Sequence, residues 1–69
     1  MEIIHLREEF IKLGQALKVA SLVSDGVEAK IVINEGLVKV NNEIETRRGR
    51  KLYEGDLVSY KGNEIKISK

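Results

Sequence analysis

The chain has 69 residues, one domain's worth and near the lower limit at which a core can be buried without help. It has no cysteine, so neither a disulfide nor a thiolate metal site can supply that help, and its 12 basic and 11 acidic side chains leave a net charge of only +1. With 42% apolar and 33% charged residues, no run approaching the ~20 apolar residues of a membrane span and no signal-peptide pattern at the N-terminus, a cytoplasmic domain with a heavily charged surface and no membrane contact is expected.

In chain order, residues 2–6 read as a short strand or an arm, with the only histidine, His5, as a half-exposed strand residue. Leu13, Ala16, Leu17 and Ala20 then follow at i, i+3, i+4 and i+7, which predicts a first helix over residues 12–22. Ser24-Asp25-Gly26 is a turn. Asp25 and Glu28 make a D-x-x-E start in which each can bond an amide of the other's turn. Ala29, Val32 and Ile33 share one helical face, and Gly36 sits where a left-handed residue ends a helix. Val27, Ile31, Val32 and Ile33 are β-branched and would accept a strand on propensity alone. The agreement of start and stop signals favours a second helix over residues 27–35.

After Gly36 the period falls from 3.6 to 2, with Val38 and Val40 on one side and Lys39 on the other. Asn41-Asn42 is a two-residue turn that tolerates positive φ and predicts a hairpin into Glu43-Ile44-Glu45. Glu43 and Glu45 read as a solvated strand face. Further strands are expected at Leu57-Val58-Ser59-Tyr60 and Glu64-Ile65-Lys66-Ile67. The result is an α+β domain, residues 1–69, with two short helices packed on a small antiparallel sheet. Leu13, Leu17, Ala20, Val32, Ile33, Val38, Val40, Leu52, Leu57 and Val58 are the expected core.

Catalysis finds no footing: one histidine and no cysteine cannot assemble a nucleophile–base set, the carboxylates do not cluster, and the phosphate-loop spacing is absent. Neither a metal nor another cofactor is expected. The strongest chemical signal is Arg47-Arg48-Gly49-Arg50-Lys51. Arginine matches phosphate oxygens with planar, paired donors, and so dense a cluster repels itself unless an anion lies nearby. Composition alone is equally compatible with a solvated loop. Phe10, Tyr53 and Tyr60 are scattered and read as core residues, which speaks against base stacking and for recognition of backbone and shape in folded RNA.

Gly36, Val38, Val40 and Asn41 form a G-x-V-x-V-N frame, and Gly55-Asp56 a following G-D turn. With the run Arg47 to Tyr53 between them, the chain resembles the small RNA-binding fold named after ribosomal protein S-four, above all its short stand-alone bacterial members. The resemblance spans roughly residues 10–58. Many members have Arg-Leu-Asp where this chain has Lys12-Leu13-Gly14, and Ser-Arg or Thr-Arg where it has Asp25-Gly26. The resemblance implies a non-catalytic protein, expected as a monomer, that binds structured ribosomal or transfer RNA, at the ribosome among other places. Both helices and the following loop would form one face. Arg47, Arg48, Arg50 and Lys51 would neutralise phosphates from the loop, and Lys12, Lys18 and Lys30 would extend the patch across the helices. The competing expectation is an adaptor of the same fold whose arginines meet an acidic protein.

Overall fold

The computed structural model describes residues 1–69. Helix α1 spans Leu13–Val19 and helix α2 spans Gly26–Asn34. They pack on a five-stranded sheet formed by β1 (Glu2–His5), β3 (Val38–Val40), β4 (Glu43–Ile44), β6 (Leu57–Tyr60) and β7 (Asn63–Ser68), in the spatial order β1-β7-β6-β3-β4. Two short strands, β2 (Ile11–Lys12) and β5 (Lys51–Leu52), pair antiparallel as a separate ribbon. No helix is long and apolar enough to cross a membrane.

The start of α2 forms as its sequence dictates. The Glu28 amide donates to Asp25 Oδ1 at 2.8 Å, and the Glu28 carboxylate accepts the Ser24 amide at 2.7 Å. Two amides of the helix start are thereby satisfied by side chains. Its end is a left-handed stop at Gly36, φ 76°, where the Gly36 amide donates to the Ile33 carbonyl and the Leu37 amide to the Val32 carbonyl. Helix α1 ends by the same bond pattern, Ser21 to Lys18 and Leu22 to Leu17, with Ser21 at φ 60°. It is therefore shorter than its apolar stripe predicts: a serine takes the left-handed position that glycine usually marks.

The sheet departs from the expected all-antiparallel form in one pairing. The N-terminal segment is a strand, and β1 runs parallel to β7, Glu2 opposite Ile65 and His5 opposite Ser68. The hairpin at Asn41-Asn42 forms as expected, with φ 53° and 69°. Asn41 also reaches the Gly55-Asp56 turn, donating to Asp56 Oδ1 at 3.0 Å and accepting the Leu57 amide at 2.9 Å. The asparagine of one motif and the aspartate of the other are thus bonded partners that tie the β3–β4 hairpin to the turn before β6.

The core holds fifteen residues drawn from both helices and the sheet, including Leu13, Leu17, Ile33, Val38, Val40, Leu52, Val58, Ile65 and Ile67. Eight of the ten expected core residues are buried; Ala20 and Leu57 are half-buried. Ala20 is the C-terminal cap of α1. Leu57 and Val58 are neighbours on one strand and cannot both face the core. Tyr60 joins the core, whereas Phe10 is half-buried and Tyr53 is exposed. Two of the three aromatics thus lie outside the interior assigned to them from sequence.

Candidate functional site

The basic stretch is organised by a carboxylate. Glu45, expected on a solvated strand face, is only 6% exposed. Its Oε2 accepts the Arg47 amide at 3.0 Å and Arg47 Nε at 2.9 Å. Its Oε1 accepts Arg47 Nη2 and Arg50 Nη1, each at 3.0 Å. The Arg47 side chain, first among the causes, lowers the Glu45 carboxyl from 4.5 to about 2; burial opposes the shift, and the Arg47 amide and Arg50 side chain reinforce it. Reciprocally, Glu45 raises the Arg47 guanidinium above its usual range. The anion that so dense an arginine cluster requires is therefore partly internal.

The same loop completes α1. Lys12, at the N-cap position, offers no side-chain acceptor. Instead the Leu13 amide donates to the Arg50 carbonyl at 2.8 Å and the Gly14 amide to the Arg48 carbonyl at 3.1 Å. Two first-turn amides that would lack partners are thus satisfied by the loop. Gly14 permits this approach: a Cβ there would lie 2.7 Å from Arg48 Cγ.

Between loop and helices lies a cleft of about 300 Å³, lined by Lys12, Lys18 and Arg48 together with Gln15 and the glycines at 14, 26 and 49. Neither an acidic nor an apolar side chain lines it. Of the seven basic residues singled out from sequence, the fold brings these three into one concavity. Arg47 and Arg50 engage Glu45, with their side chains 74% and 29% exposed. Lys51 is exposed on β5, with Nζ 4.8 Å from the centre of the Phe10 ring. Lys30 is exposed on α2 and does not line the cleft. Sequence reasoning missed Glu45, Gln15 and the role of Gly14. Arginines two and five residues after Glu45 are the available signal for the first.

A larger groove of about 510 Å³ lies between β1 and α1, but Glu2 and Glu8 are among its lining residues and half its wall is apolar. With Glu2 and Glu8 set against Arg7, it concentrates no positive charge for an anion. No group of three or more potential metal-ligating side chains forms anywhere in the chain.

Residues 4–68 match the S4 domain family. The chain is 48% identical over 59 residues to the Bacillus subtilis (strain 168) protein named "Probable ribosome maturation protein RlbA", covering 86% of this chain and 83% of that one. It is 37% identical over 57 residues to "Putative RNA-binding protein YbcJ" of Escherichia coli (strain K12), covering 83% and 81%. The solution structure of Escherichia coli YbcJ, described as revealing an alfaL motif involved in RNA-binding, superposes with a TM-score of 0.76 at 33% identity, over 100% of this chain and 89% of that one. With the family match spanning residues 4–68 and the fold shared with YbcJ, the chain belongs to the S4 domain family.

Proposed function

We propose that this protein binds structured RNA, ribosomal or transfer RNA, without catalysing a reaction on it, as a monomeric cytoplasmic domain that acts at the ribosome. The observation that carries this reading is the cleft in which Lys12, Lys18 and Arg48 converge with no acidic or apolar side chain. The names of the relatives support it, one given as an RNA-binding protein and one as a ribosome maturation protein. Phosphates enter the cleft and pair with the two ammonium groups and the guanidinium. Lys51 extends the patch, and Lys30 adds charge from the neighbouring helix. Arg47 and Arg50 act first on the loop, through Glu45. The N-terminal end of α2 adds a smaller attraction for anions, partly offset by Asp25 and Glu28.

The test is the salt dependence of binding to transfer RNA and to a folded ribosomal RNA fragment. Each phosphate neutralised contributes about −0.7 to −0.9 to the log–log slope. Replacing Lys12, Lys18 and Arg48 together by Ala flattens that slope by roughly 2 to 3, with circular dichroism unchanged. The matched control replaces Lys61, Lys66 and Lys69, which do not line the cleft, and leaves the slope nearly as it was, since exposed charges act over only about 8–10 Å at ordinary salt. Equal losses from both variants would indicate diffuse attraction without a site. No loss from the cleft variant, with binding to an acidic polypeptide instead, would favour an adaptor.

A further inference from the structure

We infer that the outer face of the β2–β5 ribbon is a nucleotide site in which Tyr53 stacks an unpaired base of the bound RNA while Lys12 and Lys51 hold its phosphate; this rests on the RNA-binding reading above. The ribbon register places Ile11 opposite Leu52 and Lys12 opposite Lys51. Leu52 is buried and Ile11 packs against the core. Alternation therefore turns their neighbours outward. Phe10 and Tyr53 come together as the next pair, ring centroids 6.0 Å apart at an interplanar angle of 52°.

Three independent features give this face its chemistry. Like charges directly opposite on paired strands are destabilising, so the Lys12–Lys51 pair calls for an anion between or beside them. Lys12 also lines the cleft, so the ribbon adjoins it through a shared cation. Tyr53 is 43% exposed, and its backbone is fixed because its amide donates to Asp56 Oδ2 at 2.8 Å. Phe10 backs that ring from the side, with Lys51 over its own face. A held aromatic ring beside two lysines complements a base joined to a phosphate. Unpaired bases in the loops and bulges of folded RNA are accessible to such a ring.

The test compares hexaadenylate with an abasic ribose-phosphate oligomer of the same length. Hexaadenylate binds about five- to a hundred-fold more tightly at equal salt. Tyr53→Leu brings that ratio close to one and leaves the salt slope unaltered; Tyr53→Phe keeps the ratio. On adding hexaadenylate to the unmodified protein, the Tyr53 ring protons move upfield, with buried Tyr60 as the internal reference. This spectral reading stands even if Tyr53→Leu fails to fold. An unchanged ratio in folded Tyr53→Leu, or a Tyr53 ring that does not shift, overturns the stacking site while salt-dependent transfer RNA binding leaves the cleft standing. Failure to bind transfer RNA and either oligomer overturns both.

Discussion

Glu45 accepts four hydrogen bonds, two on each oxygen, all from Arg47 and Arg50. Because its folded carboxyl titrates at about 2 and not 4.5, its charge stabilises the fold above pH 4.5, and that contribution drains away as the pH falls from 4.5 toward 2. Glu45→Gln is expected to cost about 1–2 kcal/mol at pH 7, read as a lower urea midpoint. The gap to the unmodified protein should close as the pH is taken down through that window. A gap that stays constant would mean that the carboxylate's charge is not what the loop uses. Little of this residue's role was legible beforehand. Glu43-Ile44-Glu45 alternates like an exposed strand, but β4 stops at Ile44, and Glu45 is covered by charged side chains that no hydrophobic pattern reveals. The seven basic residues were legible as candidates. Which of them would share a cleft was not, because the chain separates Lys12 and Lys18 from Arg48 and only the loop's bonds to α1 bring them together.

At the level of elements, both helices end on the same bond pattern with different residues. A non-glycine residue at positive φ costs roughly 1 kcal/mol, so Ser21→Gly should stabilise the domain by about 0.5–1 kcal/mol, measured by chemical denaturation. Gly36→Val should destabilise it by more than about 1 kcal/mol. The space at Gly36 is adequate, since a Cβ would meet Ile44 Cγ2 at an ordinary 3.6 Å, so that cost comes from the backbone. If Gly36→Val were neutral, the left-handed stop would not be what holds the end of α2. The difference also explains what the sequence disclosed. Gly36 announces its stop, and the expected span of α2, residues 27–35, lies within one residue of the observed helix at each end. Ser21 announces nothing, so the expected span of α1, residues 12–22, runs three residues beyond the helix's observed end. The ribbon of β2 and β5 escaped notice for another reason: strands of two residues carry no periodicity.

For the whole molecule, the pairing least visible in the sequence is β1 with β7. Each reads as a strand on its own, yet nothing local says that they meet, or that they meet in parallel. Ile4 anchors the pairing, being 7% exposed and opposite Ile67. Ile4→Ala should cost about 2–4 kcal/mol. Contacts so distant along the chain carry a large closure entropy and form late. The loss should therefore appear mainly as faster unfolding, with the refolding arm of a stopped-flow chevron little changed. A slowed refolding arm would place β1 in the folding nucleus.

That parallel pairing has a temporal side. As the chain folds, β1 is among the last strands to find its partner, since Glu2 must wait for Ile65 across most of the sequence. The helices, the ribbon and the β3–β4–β6 sheet use only residues 11–60 and can assemble before β1 and β7 meet. Until β1 docks, Ile3 and Ile4 have no strand to join and β7 offers an open edge carrying Ile65 and Ile67, a template for a neighbour of the same kind. Docking of β1 closes that window, so its arrival guards folding chains from one another as well as completing the sheet.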